Sequence, residues 1–165
     1  MRADLRSALA ALVLVVVAGC YDLNKRPVIE LGDAPAIPWV VGEWEFPKNR
    51  QIVVFAGDHP NEYRFREISG KSVVTGTFRA VSLGGGYYLV QVITDGGEVS
   101  VLYYRRDPDG QVAELDVRDN VFDLAKQFGV TIEEDEEILM YFLDGPPARV
   151  RAFLLAHKPE HLKGP

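Results

Sequence analysis

Between residues 39 and 118, apolar and polar side chains alternate in short segments that end in turn-forming residues. In the first segment Gly42, Trp44 and Phe46 alternate with Glu43 and Glu45. A period of two is typical of strands that bury one face. Seven segments follow this pattern and are predicted as strands: residues 39–46, 52–56, 62–66, 73–83, 87–94, 99–106 and 111–118.

The last third of the chain predicts helices around one further strand. Apolar residues at positions 121, 124, 125 and 128 have the i, i+3, i+4, i+7 spacing of a helix, which Gly129 would end. A proline pair at 146–147 can begin a second helix, with apolar positions at 150, 153 and 154. The short apolar run at residues 137–143 favours a strand.

These elements predict an α+β fold. Tight links between successive strands favour antiparallel neighbours. An antiparallel sheet of seven or eight strands has exposed edges, and closure into a barrel would remove them. We therefore expect an antiparallel β-meander that forms a small barrel or strongly curved sheet, with two C-terminal helices.

The first 20 residues predict an export signal. Arg2 and Arg6 precede an uninterrupted run of small and aliphatic residues from position 8 to 18. This run is shorter than the roughly 20 residues needed to span a bilayer, and it suits the apolar part of a signal peptide. The motif Val17-Ala18-Gly19-Cys20 follows at once, and it resembles the lipobox at which bacterial lipoproteins are cleaved and acylated.

The resemblance implies a signal peptide at residues 1–19 and acyl chains on Cys20, which anchor the protein to a membrane. An ordinary secretory signal beside a coincidental cysteine is the alternative. By resemblance to lipoprotein sorting in bacteria with two membranes, Tyr21 after the cysteine favours the outer membrane, facing the periplasm. Residues 20–38 have no period and contain three prolines, so they are predicted as a flexible tether to one domain at 39–165.

Composition excludes several partners and chemistries. Without residues 1–19 the chain has 16 basic and 23 acidic side chains, so a nucleic-acid partner is not expected. Cys20 is the only cysteine, which excludes an intramolecular disulfide and a cysteine metal cluster. Arg105 and Arg106 at a strand end could bind an anion or form a salt-bridged rim.

We predict no catalytic residue, metal ligand or cofactor. His157 and His161 fit the His-x-x-Glu-His pattern of zinc peptidases, but Pro159 between them should break the helical turn that such a site needs. The acidic run at residues 133–137 lacks the spacing of a calcium loop and is predicted as a solvated loop. A hydrolase is the less favoured alternative.

Aromatic residues indicate where a binding surface could lie. Gly42-Glu43-Trp44 resembles the Gly-x-Trp start of lipocalin-type barrels, whose tryptophan closes the barrel floor. The wider layout resembles small uncharacterised bacterial lipoproteins with such a β-rich domain. Trp44, Phe46 and Tyr88 are therefore candidates for the barrel floor or for a ligand lining. The doublets at 87–88 and 103–104 must place one tyrosine on each sheet face.

Two functions follow as hypotheses. The first is a non-catalytic accessory or protein-interaction module of the cell envelope, with another envelope protein as its partner. The alternative is a lipocalin-like carrier of a small apolar ligand or lipid. Barrels of eight strands either fill with side chains or hold one small ligand, so both hypotheses stay open at this stage.

The anchor is tested by replacing the acceptor thiol. We expect Cys20→Ser to abolish incorporation of an alkyne-labelled fatty acid into the protein, because only the cysteine sulfur can carry the diacylglycerol. Mass spectrometry of residues 20–26 should show acyl chains on wild-type protein alone. An unmodified cysteine in wild-type protein extracted from membranes would contradict the lipobox interpretation.

Overall fold

The computed structural model describes residues 21–23, 26–118, 121–135 and 140–162. The predicted signal peptide, its cleavage motif Val17-Ala18-Gly19 and the acceptor Cys20 lie outside the described residues. These described residues form ten strands and two helices, together with two short 3-10 helices at Leu31–Asp33 and Pro38–Val40.

The strands and helices follow in chain order. The strands are β1 (Tyr21–Asp22), β2 (Gly42–Phe46), β3 (Arg50–Ala56), β4 (Tyr63–Ser69), β5 (Ser72–Gly84), β6 (Tyr87–Thr94), β7 (Val99–Arg106), β8 (Val112–Glu114), β9 (Thr131–Asp135) and β10 (Met140–Asp144). Helix α1 (Val121–Phe128) precedes β9, and helix α2 (Pro147–Ala156) follows β10. The α+β class and the two helices are thus confirmed, while the count of seven or eight strands is too low.

All ten strands belong to one sheet, in the order β2-β3-β4-β5-β6-β7-β1-β10-β9, with β8 also paired to β7. Strands β2 to β7 form the predicted antiparallel meander. The prediction of a closed barrel is wrong. The free side of β7, which would have to pair with β2 to close the sheet, is occupied by β1 near residues 100–101 and by β8 near residues 104–106.

A glycine lets three strands approach closely within this meander. Gly76 lies opposite Phe65 on β4 and Thr94 on β6. A Cβ atom at Gly76 would overlap the carbonyl oxygen of Ile93 and press on the Phe65 ring. Glycine within a strand often marks such a close approach. Substitution here would push β4 and β6 apart.

The segment predicted as a flexible tether is part of the folded domain. Tyr21 pairs with Val101 on β7 and with Tyr141 on β10, and its side chain is fully buried. Farther along, the buried Gln91 side chain accepts hydrogen bonds from the backbone N–H groups of Val28 (2.6 Å) and Ile29 (2.9 Å). The tether prediction is therefore wrong for residues 21–23 and 26–38, because their scattered apolar side chains cover the sheet without a regular period.

The sheet has two apolar faces with different coverings. One face, which we call the helical face, packs against α1, α2 and the N-terminal segment. Tyr103 lies on it, and its hydroxyl donates to the Leu154 carbonyl oxygen at 2.8 Å. The opposite face, which we call the concave face, carries Tyr88 and Tyr104. The prediction that each tyrosine doublet spans both faces is confirmed.

Tyr21 connects β1 to the C-terminal helix. Its ring makes edge contacts with Tyr103 (6.3 Å between centroids) and Phe153 (5.7 Å). Its hydroxyl lies 3.0 Å from His157 Nδ1 and 3.3 Å from the Val117 carbonyl oxygen. Burial is the main cause that raises the pKa of Tyr21 well above its ordinary value, so the hydroxyl stays protonated. The N-terminal segment is thus joined to the end of the domain.

A truncation at Tyr21 tests whether β1 belongs to the folded domain. We expect Tyr21→Ala to lower the free energy of unfolding by about 3–5 kcal/mol, as for other large buried aromatic residues. Phe55→Ala is the control, since that side chain is 50% exposed and should change stability by about 0.5 kcal/mol or less. Urea unfolding followed by tryptophan fluorescence measures both. Equal effects of the two substitutions would show that β1 does not stabilise the domain.

Candidate functional site

The concave face of the sheet encloses an apolar cavity of about 130 Å³. Its walls come from β2 to β8 and from the segment that precedes β2. Apolar side chains from these strands form most of the lining, among them Ile52, Val54, Phe78, Val90 and Leu102. We call this feature the groove.

Two tryptophans close one part of the groove. Trp44 on β2 donates its indole N–H to the Val40 carbonyl oxygen at 2.7 Å, which fixes the ring against the 3-10 helix. Trp39, within that helix, makes edge contacts with Trp44 (6.1 Å between centroids) and with Tyr88 on β6 (5.3 Å). Trp39 therefore spans the distance between β2 and β6, which no backbone hydrogen bond joins.

The structure brings the three predicted lining residues to one site. Trp44, Phe46 and Tyr88 all line the groove. The sequence pattern predicts a strand that begins at residue 39, but Trp39 lies in a 3-10 helix, so its role in the groove is not predicted. The available signal was Pro38, which favours the first position of a helix.

Side chains also connect β2 and β3 with β7 and β8 across the groove. Phe46 meets Tyr104 with 6.0 Å between ring centroids. Arg50 forms an ion pair with Glu114 on β8, and its Nε lies 3.7 Å from Glu67 Oε1. The side chain of Arg50 is 14% exposed and that of Glu114 is 5% exposed. These contacts hold the sheet curved although its backbone does not close.

The charge of Arg50 is retained in this position. Burial by itself lowers the pKa of the Arg50 guanidinium. The neighbouring Tyr104, Glu114 and Glu67 side chains raise that pKa by more than burial lowers it, so its net shift is upward. Arg50 is therefore a charged group committed to two carboxylates of the protein.

Arg106 has a different environment, although it lies in the same lining. Its guanidinium carbon is 4.6 Å from the centroid of the Trp39 ring, a distance at which a cation is attracted to the ring face. Within the described part of the chain, its buried Nε has no hydrogen-bond partner and no carboxylate lies within 4 Å. Arg105 instead pairs with Asp107 at 3.0 Å. The sequence allowed either an anion site or a salt-bridged rim for these two arginines. In the structure, Arg105 forms a salt bridge and Arg106 faces the groove.

The remaining catalytic and metal candidates are dispersed. Helix α2 ends at Ala156, so His157 and His161 lie beyond it, and His157 is buried beside Tyr21. No group of three or more histidine, cysteine or acidic side chains that could hold a metal occurs among the residues that the structure describes. Residues 133–135 belong to β9 at the sheet edge, so the prediction of an acidic loop is wrong for them. Charged side chains on an edge strand oppose pairing with another chain.

Comparisons with known proteins found no matching family model, no matching curated protein and no matching solved structure. Over the described residues, no helix has the length and the apolar character needed to cross a membrane. The candidate site therefore rests on the geometry of the groove alone.

Proposed function

We propose that this protein is a lipid-anchored, non-catalytic binding protein of the bacterial envelope, whose groove holds the apolar chain of a small ligand. The observation that carries the proposal is the cavity of about 130 Å³ on the concave face, lined mainly by apolar side chains. Ligand sites in proteins are concave and largely apolar, with a few polar groups that orient the ligand. The groove has this composition, with Arg50, Glu67 and Arg106 as charged groups in its lining.

The volume limits what the groove can enclose. An apolar cavity of roughly 150 Å³ is known to bind a molecule of the size of benzene. By that comparison the groove encloses about six carbon atoms, which is a short stretch of one chain. A longer chain would have to project from the open side of the sheet. This favours single-chain ligands over lipids with two acyl chains.

The packed N-terminal segment supports a short connection between the proposed anchor and the domain. Tyr21 is the residue after Cys20, and it is already held between β7 and β10. An acylated Cys20 would therefore hold the domain against the lipid surface, with no tether between them. Proximity to a membrane would give the groove direct access to apolar chains. Tyr21 after the cysteine favours the periplasmic side of the outer membrane, as expected from the sequence.

The alternative, a protein-interaction module, stays a prediction with less support. Phe55 and Val73 are the large exposed apolar side chains of β3 and β5. Phe55 lies opposite Arg64, whereas Val73 lies opposite Ile68, four residues farther along β4. This separates them by roughly 13 Å along the strand. Phe55 and Val73 are therefore not in contact with each other.

A series of alcohols tests binding in the groove. Both tryptophans of the chain line it, so brominated 1-alkanols should quench tryptophan fluorescence of the full-length protein in lipid nanodiscs. We expect the affinity for the free alcohol to rise about fourfold per methylene, corresponding to about 0.8 kcal/mol, and to level off near six to eight carbons. The chain length at which the affinity stops rising indicates how many carbon atoms the groove encloses.

A pair of variants on β6 provides the control. Val90→Phe adds bulk inside the groove and should weaken alcohol binding, whereas Ile93→Phe adds similar bulk on the helical face and should not. No saturable quenching at any chain length would overturn the proposed function. So would equal loss of binding in both variants.

A further inference from the structure

We propose that the ligand of the groove is a free single-chain fatty acid, and that Arg106 binds its carboxylate. This inference rests on the proposed function and adds the chemistry of the ligand's head group. It is carried by the combination of an apolar cavity for the chain and one arginine in the lining that no described carboxylate neutralises.

Arg106 is held in place without using its hydrogen-bonding capacity. Its guanidinium carbon lies 4.6 Å from the centroid of the Trp39 ring, and this cation–π contact uses none of the guanidinium N–H groups as hydrogen-bond donors. The Nε atom is buried, and within the described residues it donates to no acceptor. A buried donor without an acceptor is unfavourable, so an acceptor that reaches the Arg106 guanidinium would be stabilising.

The other charged groups of the groove are already paired. Arg50 is shared between Glu114 and Glu67, and all three side chains are largely buried. A ligand anion near this cluster would meet two carboxylates for one guanidinium. Within the described lining, Arg106 is therefore the side chain with which the anionic head group of a ligand can pair without breaking an ion pair of the protein.

A carboxylate fits this position better than other head groups of similar size. Two parallel N–H···O bonds between an arginine and a carboxylate match in geometry and are stronger than bonds between neutral groups. A hydroxyl group offers one oxygen and no charge. The small cavity accepts a single chain, which excludes a two-chain phospholipid as the occupant.

The test compares two ligands that differ only in the head group. The probes are 8-bromooctanoic acid and 8-bromo-1-octanol, titrated at pH 7.5 into the full-length protein in nanodiscs of neutral lipid. Tryptophan quenching gives each affinity relative to the free ligand. For the wild-type protein we expect the carboxylate to bind roughly tenfold more tightly than the alcohol, the scale of a hydrogen bond to a charged group.

Matched arginine variants assign the preference to one side chain. Arg106→Gln should lose the preference for the acid and bind the two probes equally. Arg105→Gln removes the same charge from the neighbouring residue, which faces away from the groove, and should keep the tenfold preference. Arg106→Lys keeps the charge without the planar fork, so its preference should fall severalfold.

The outcomes separate this inference from the proposed function. Equal binding of acid and alcohol by wild-type protein would overturn the fatty-acid assignment and leave the groove as a binding site. Binding of neither probe would overturn both. If Arg106→Gln no longer binds the alcohol either, the test rests on Arg106→Lys. An unchanged ratio of acid to alcohol affinity in Arg106→Lys would overturn the role of Arg106. Tighter binding of octyl phosphate than of octanoate would show that a carboxylate is not the preferred head group.

Discussion

The fold depends on two central strands that are apolar on both faces. Along β6 and β7 successive side chains point to opposite sides of the sheet. Leu89 and Tyr103 lie within the core beneath the helices, while Val90 and Leu102 line the groove. A strand buried on both sides needs two coverings. The helices and the N-terminal segment supply one, and the curvature of β2 to β5 supplies the other.

The way in which the sheet curves determines the form of the site. Because β1 and β8 occupy the free side of β7, the first strand of the meander has no backbone edge with which to pair. Side chains make the connection instead, through Trp39, through the Phe46–Tyr104 contact and through the buried pair of Arg50 with Glu114. A closed small barrel either fills with side chains or holds one small ligand. The unclosed sheet leaves an apolar cavity on its concave face.

Some of this architecture could be predicted from the sequence. The meander, the two helices and the positions of Trp44, Phe46 and Tyr88 follow from hydrophobic periods and turn residues, which are local signals. The pairing of β1 with β7 and β10 could not be predicted in this way. Two residues, Tyr21 and Asp22, are too few to show a period, and their partners lie about 80 to 120 positions away in the chain. The sequence pattern of residues 21–38 resembles that of a linker, since its order comes from contacts such as those with Gln91.

The central claim is that the concave face of the sheet, and not the helical face, receives the apolar chain. Crystals of the protein with 8-bromooctanoic acid test it directly, because bromine can be located by its anomalous scattering. We predict a single bromine peak inside the groove, among the side chains of Val54, Phe78 and Leu102, with the carboxylate at Arg106. A peak between the sheet and the helices, or no peak in the groove at saturating ligand, would contradict the claim.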